Sequence, residues 1–347
     1  MKKYWLFVLT IGCIALVAGC RRNTYADDAM TLSTFGISTK QMARDVTKPF
    51  EKKYHTAVKT ESGDSATRYT QIKHNPNNGV DIIELSQNNA LSANQQGLFK
   101  KIDFTKIKNF NSLSPDAQKL AKTTNSIPYT INSVGIIYNS KKVGKITSWD
   151  QLWDKKFKAK IAIPDITTTF GPAMLYIAGD HAGVPVTKDQ GKAAFTAMKE
   201  LKPNVVKTYT QSSDLANMFK NEEIDVAVVG DFAVDMIQQS VPKTTYTVPA
   251  SGTYANYDTV SVLKKSKATK ADYDYINFRL AKGTQQKAAK LHSLNNAPIS
   301  SAVQLSARDA QNKTYGSIAK RAHSIDYNFV NKHLSTWISK WNQLMNK

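Results

Sequence analysis

Ser65 stands in Gly63-Asp64-Ser65-Ala66, just after a short extended run, where a serine hydroxyl could attack an acyl carbon. Such attack requires a base to take the proton, usually a histidine oriented by a carboxylate. The six histidines are His55, His74, His181, His292, His323 and His333, and none stands three residues after an aspartate. No pair of histidines has the i, i+4 spacing with a nearby glutamate that a helical zinc site uses, so no metal is expected. P-loop and dinucleotide fingerprints are also missing, and no cofactor is expected. What remains is chemistry of binding. Thr167-Thr-Thr169 precedes Gly171-Pro172 at a predicted helix start, and Ser62, Ser65 and Thr67 surround a second one. Two hydroxyl-rich helix N-termini with free N–H groups could hold phosphate, phosphonate, sulfate or carboxylate. The same residues are favoured helix caps, a role that needs no ligand.

The elements that must position these groups alternate between strand and helix. Thr31 to Phe35 reads as a strand broken at Gly36, with Ser38 or Thr39 as cap of a helix to about Tyr54. A second short strand at Val58 precedes the turn Glu61 to Ser65, and a helix from Ala66 leads to the strand Val80-Asp-Ile-Ile-Glu-Leu85. The pattern restarts with an extended Ser126 to Asn139, a short capped helix Thr147 to Trp153 and a strand Lys160 to Ile163. Helices at Thr167–Ala178, Lys188–Leu201 and Asp214–Asn221 and the buried strand Ile224 to Val229 follow. Strands alternating with helices imply βαβ units around mainly parallel sheets, here in two halves. No low-complexity linker separates the halves, which implies that the chain crosses between them more than once. Open α/β sheets bind ligands beyond the carboxyl ends of their strands. That rule selects Phe35 to Thr39, Ser62 to Thr67, Ser86 to Asn89 with Gln87, Thr167 to Gly171, Ser212-Ser213 and Gly230-Asp231. The tryptophan pairs Trp149/Trp153 and Trp337/Trp341 are each spaced four apart, as packing residues on one helical face would be.

The N-terminus carries an address. Lys2 and Lys3 precede the apolar run Tyr4 to Val17, which is too short for a spanning helix and ends in Leu16-Val17-Ala18-Gly19-Cys20. This segment resembles the lipobox of bacterial lipoproteins. The resemblance implies a signal peptide over residues 1–19, a lipid on Cys20, a tether over 20–30, and a place on the extracytoplasmic face of the cell membrane. With Cys13 removed and Cys20 lipidated, no disulfide would remain, so the fold must stand on its hydrophobic core. The formal net charge is +20, but the lysines are scattered singly and in pairs without an arginine-rich stripe. That distribution fits a solvated basic surface beside an anionic envelope and argues against nucleic acid as a partner.

An ordered series of runs resembles the solute-binding proteins of bacterial ABC importers, most closely the spermidine/putrescine-binding group. The series includes Gly97-Leu-Phe-Lys-Lys-Ile-Asp103, Ser126-Ile-Pro-Tyr129 with Val134-Gly-Ile-Ile-Tyr-Asn139, and Ile146-Thr-Ser-Trp-Asp-Gln-Leu-Trp153. Leu201-Lys-Pro-Asn-Val205, Tyr275-Ile-Asn-Phe278 and Asn296-Ala-Pro298 continue it in order. The resemblance implies two α/β lobes closing by hinge motion around a central cleft. It places lobe 1 over residues 31–128 and 259–300, lobe 2 over 129–258, and C-terminal helices packing on the lobes over 301–347. It further implies a monomer that delivers a small molecule to a membrane permease, without catalysis.

Carried over residue by residue, the polyamine site is partly present. Asp258, in Asn256-Tyr257-Asp258, falls on an ammonium-binding aspartate, and Tyr327-Asn328 falls near a Trp-Gln pair that lines the pocket. The second-lobe acidic pair is replaced by Pro164-Asp-Ile-Thr-Thr-Thr169, the first-lobe aromatics by Phe35-Gly-Ile-Ser-Thr39, and a tryptophan by Gly230. Tyr129, Tyr209, Tyr254 and Tyr257 sit at strand ends or in loops where they could face a cleft, and paired tyrosines hold ferric ion in other members of the superfamily. A polyamine is therefore the solute that the resemblance implies. An anionic or zwitterionic solute, such as a phosphonate, a thiamine-type compound or a carboxylate, is the alternative. Gly63 to Ala66 is also similar to the GDSL-type serine esterases, whose Asp-x-x-His block this chain lacks.

Overall fold

The structure, a computed structural model, describes residues 29–267 and 269–345. Cys20 and the proposed signal segment lie outside the described residues. Ten strands form one curled mixed sheet. They are β1 Ala29–Phe35, β2 Ala57–Gly63, β3 Ile82–Ser86, β4 Ile127–Asn139, β5 Ile161–Pro164, β6 Val205–Tyr209, β7 Val226–Gly230, β8 Thr244–Thr247, β9 Thr253–Val262 and β10 Ala322–Ser324. Their order is β2-β1-β3-β9-β4-β7-β5-β6, with β10 on β9 and β8 on β4. Each wing is parallel: β1 with β2 and β3 on one side, β5 with β6 and β7 on the other. The centre is antiparallel, because β4 runs from the first lobe to the second and β9 runs back. Ala29 and Met30, expected in the tether, already pair with β2, and Met30 is fully buried.

The 13 residues of β4 and the 10 of β9 are long enough to serve both lobes, at roughly 3.3 Å per residue. Their sequences explain how. Ile127 and Tyr129 with Val260 and Val262 enter the core of lobe 1, while Val134, Ile136 and Tyr138 enter that of lobe 2. Between these apolar ends lies a polar band, Thr130, Asn132, Ser133, Asn256 and Thr259, each at most 1% exposed. Buried polar groups must be hydrogen-bonded, so this band is held by a specific network rather than by shape alone. The network is where the lobes meet.

The tail belongs to lobe 2 in part through a strand, since β10 pairs parallel with the start of β9. The final helix, Tyr327–Met345, sinks Trp337 and Trp341 into the core of lobe 2, with Trp337 Nε1 donating to the Gln190 carbonyl at 3.0 Å. Lobe 1 reaches the same helix from the helix Gln87–Gln95: Leu91 packs against that core, and Asn331 Nδ2 donates to Ser92 Oγ at 3.0 Å.

Several sequence expectations shift. The helix expected from Thr167 begins at Gly171, because the threonines form a turn. The helix expected over Lys188–Leu201 is two, Val186–Asp189 and Lys192–Leu201, the first ended by the left-handed Gln190 at φ 58° and the second opened by Gly191 at φ 83°. Ser38, expected as a cap, is left-handed at φ 56° and makes no side-chain capping bond, while Thr39 is exposed.

Candidate functional site

At Asp258 the crossing strands and β3 come into register, with Ser86, Asp258 and Thr130 as Cα partners across β3, β9 and β4. The Asp258 carboxylate accepts from Asn132 Nδ2 at 2.8 Å and from Asn256 Nδ2 at 2.9 Å, two neutral amides. Burial, with Glu84 and Asp231 adding like charge, pushes its pKa up to about 7 against the pull of those two bonds. One edge of the residue stays partly accessible. Gln87 N–H donates to Asn256 Oδ1 at 3.2 Å, and Gln87 Oε1 accepts from the Tyr257 N–H at 3.4 Å. Ser65 Oγ lies 3.0 Å from Ser86 Oγ and accepts from Asn89 Nδ2 at 2.9 Å. Ser65, Ser86, Gln87 and Asp258 are thus brought together. The Ser65 hydroxyl is engaged by Ser86 and Asn89.

A second layer lies beneath. Glu84, 1% exposed, accepts from Thr34 Oγ1 at 2.6 Å, Tyr275 OH at 2.9 Å and Tyr129 OH at 3.2 Å, and pairs with Arg279 Nε at 2.8 Å. Tyr129, expected to face the cleft, is instead enclosed here, its ring under the Arg279 guanidinium at 3.9 Å. Arg68, 2% exposed, crosses the carboxyl ends of the lobe 1 strands. Its Nε donates to the Gly63 carbonyl at 3.0 Å and its Nη1 to the Glu84 carbonyl at 2.6 Å, over the Phe35 ring at 4.9 Å. Burial lowers its pKa to about 10. Among the described residues the orphaned buried atoms of this region include Arg68 Nη2, Asn88 Oδ1, Asn132 Oδ1 and Arg279 Nε, the last in ion-pair contact with Glu84 but without hydrogen-bond geometry.

Asp231 was expected at the cleft surface and lies behind it. Its carboxylate accepts from Thr314 Oγ1 at 2.5 Å, Thr314 N–H at 2.7 Å and Ser133 N–H at 3.3 Å, and burial raises its pKa to about 7. The tail segment 312–314 reaches back to occupy it, which sequence order could not disclose. Tyr327 is likewise buried, its hydroxyl among the orphaned atoms, within electrostatic reach of Asp258. Asn328 is exposed and accepts from Gln95 Nε2 at 3.3 Å. Tyr209 is core, its hydroxyl donating to the Val228 carbonyl at 2.9 Å, and the Tyr254 hydroxyl donates to Asp180 at 2.6 Å.

The two hydroxyl-rich turns are answered from within. Asp64 accepts from Thr67 N–H at 2.8 Å and Thr67 Oγ1 at 2.6 Å. In lobe 2, Asp165 Oδ1 accepts from Thr167 Oγ1 at 2.6 Å and Thr167 N–H at 3.0 Å, and Thr168 Oγ1 donates to the Asp165 carbonyl at 2.7 Å. Thr169, Ser212 and the exposed Ser62 have no hydrogen bond to the Asp258 network. Gly230 is closed to any side chain: a Cβ there would lie 2.5 Å from the Phe232 ring and 2.6 Å from that of Phe170. These two rings stack with their centroids 6.2 Å apart, and Phe232 is partly exposed.

The raised carboxylates carry a pH signature. In the unfolded chain Asp231 and Asp258 titrate near 3.9, and folded near 7, so the folded state binds the extra protons. Their contribution is fully present below about pH 4 and is lost as pH rises through 7. Melting scans should show stability falling over that window, with a smaller fall in Asp231→Asn. A flat profile would remove Asp231 as a source.

Comparison with known proteins fits this geometry. The family profile described as bacterial extracellular solute-binding protein matches residues 45–315. The spermidine/putrescine-binding periplasmic protein of Escherichia coli K12 is 24% identical over 320 residues, covering 90% of each chain. A solved structure of an ABC transporter from Clostridium perfringens is 41% identical, with a TM-score of 0.78 over 91% of this chain and 99% of that one. The spermidine/putrescine transporter substrate-binding protein of Streptococcus pneumoniae, at 17% identity, shares the fold with a TM-score of 0.70 over 90% of this chain and 98% of that one. With its paired lobes, its crossing strands and a family match over most of its length, the chain belongs to the bacterial extracellular solute-binding proteins of ABC transporters.

Proposed function

We propose that this protein captures an amine-bearing solute between its lobes, in the class that includes the polyamines for which its relatives are named, and delivers it to an ABC permease. The observation that carries the reading is the Asp258 carboxylate, which among the described residues accepts from the amides of Asn132 and Asn256, with Asn132 Oδ1 itself left without a donor. Acceptors without donors call for a solute rich in N–H, and an ammonium group supplies both the donors and the opposite charge. The partly exposed Phe232 ring is a candidate cation–π wall for it. The alternative of an anion held by two helix starts is weaker, because Asp64 and Asp165 already cap those turns with their own carboxylates.

The lipid anchor on Cys20 is part of the same proposal and would keep the protein at the extracytoplasmic face. A ligand that binds only the native state raises the melting temperature by mass action. A thermal-shift screen should find an ammonium compound that does so and is recovered unconsumed. Mass spectrometry of the membrane fraction should show Cys20 as a lipidated N-terminus. Turnover of the stabilising compound, abolished by Ser65→Ala, would favour a hydrolase instead.

A further inference from the structure

Three acids and three bases lie on or against the crossing strands: Glu84 and Asp231, both buried, with the half-buried Asp258, and the buried Arg68, Arg279 and Lys313. Glu84 pairs directly with Arg279. Lys313, fully buried, has no hydrogen-bond partner among the described residues and lies within electrostatic reach of Asp231. Asp235 and Asp309 also act on Lys313, but they are bonded outward, to the His292 N–H and to the Leu291 N–H. Among the described residues Arg68 has no carboxylate in ion-pair contact; its bonds go to two backbone carbonyls and to Ser33 Oγ at 3.5 Å, and Glu84, then Asp64 and Asp258, are the carboxylates that act on it from farther away.

This arrangement bears on the net charge of the cargo. A buried charge is costly unless it is paired. A di- or trication would add positive charge that no second buried acid answers, whereas a solute of zero net charge leaves the balance intact. The orphaned atoms are of both kinds: Asn88 Oδ1 and Asn132 Oδ1 lack donors, and Arg68 Nη2 lacks an acceptor.

We propose that the cargo is a zwitterion, its ammonium group received by Asp258 and its carboxylate or phosphonate by the free edge of the Arg68 guanidinium. The inference rests on the amine-cargo reading and narrows it. Arg68 becomes a specificity-determining residue, since a guanidinium edge grips a planar or tetrahedral anion with directed N–H bonds that an ammonium cannot match.

The test is calorimetry at pH 8 on the full chain with three series matched in length from two to six carbons: ω-amino acids, α,ω-diamines and simple alkylamines, with aminoalkylphosphonates alongside. One zwitterion should bind more tightly than the diamine and the alkylamine of its length by about tenfold or more. Arg68→Gln should remove most of that advantage while changing the alkylamine affinity by less than about threefold, and Arg68→Lys should restore part of it. Should Arg68→Gln fail to fold, the ranking on the unmodified protein and the Arg68→Lys variant decide. If a diamine leads, or if the Arg68 variants leave the zwitterion's lead unchanged, the inference is overturned and the amine-cargo reading stands. If no ammonium compound binds in any series, both fall together.

Discussion

Asp258→Asn should weaken binding of the ammonium solute by about 30- to 150-fold, a loss of roughly 2–3 kcal/mol. The substitution keeps the shape of the side chain and removes the charge. An ammonium about 4 Å from a carboxylate at an effective dielectric near 20 gains roughly 4 kcal/mol before desolvation is subtracted. The pH profile gives a sharper signature. With its pKa near 7, Asp258 is protonated in much of the unliganded protein below neutrality, and the incoming cation must displace that proton. Affinity should therefore rise by up to about tenfold per pH unit from pH 5 to 7 and level off above. Glu84, Asp231, Arg68 and the Tyr327 hydroxyl are the other ionisable groups in reach, and none of them directly partners the carboxylate. Calorimetry across pH on both proteins checks this. An affinity that is flat with pH in the unmodified protein, or that survives Asp258→Asn within about threefold, would show that the carboxylate does not meet the solute.

Arg279→Ala should destabilise the fold by about 3–5 kcal/mol, the usual cost of breaking a buried ion pair from one side. The Arg279 guanidinium is 3% exposed and lies 2.8 Å from a Glu84 carboxylate that is itself 1% exposed. Removing it leaves Glu84 with three hydroxyl donors and without its ion-pair partner, only the more distant Arg68 still acting on it, and removes the cation stacked on Tyr129. The double variant Arg279→Met with Glu84→Gln should recover much of the loss, because no uncompensated charge remains. Urea unfolding of the single and double variants measures both effects. Equal destabilisation in the single and double variants would assign the loss to packing instead of charge.

Local signals carried the wings of the sheet. Val80 to Leu85 and Ile224 to Val229 read as buried strands because an unbroken apolar run between turns has few other uses, and they are β3 and β7 within two residues. The extended reading of Ser126 to Asn139 also holds as β4. Its division of labour was less visible: Thr130, Asn132 and Ser133 in mid-strand look like a weak strand until both flanks are seen to serve different cores. The edge strand β6 and the tail strand β10 passed unread, since short polar strands take their stability from the neighbour they pair with.

The candidate site separates in the same way. Sequence by itself determined the solute-binding fold, and it named Asp258, Ser65, Ser86 and Gln87, which the structure brings together at the strand ends. Composition, periodicity and family-ordered runs are local or nearly so, and they survive in one dimension. Only the tertiary structure decided what surrounds Asp258. Arg68, Glu84 and Arg279 appear in the sequence as ordinary helix and strand charges, and Asp231 with Thr314 as surface residues far apart. Burial made these charges matter, and burial depends on partners as distant as the 195 residues between Glu84 and Arg279. The same holds for Thr67 and Thr167, whose hydroxyls suggested an anion site until the structure turned each toward the carboxylate of its own loop. A side chain's type is written in the sequence; its desolvation and the direction in which it spends its hydrogen bonds are properties of the packed chain.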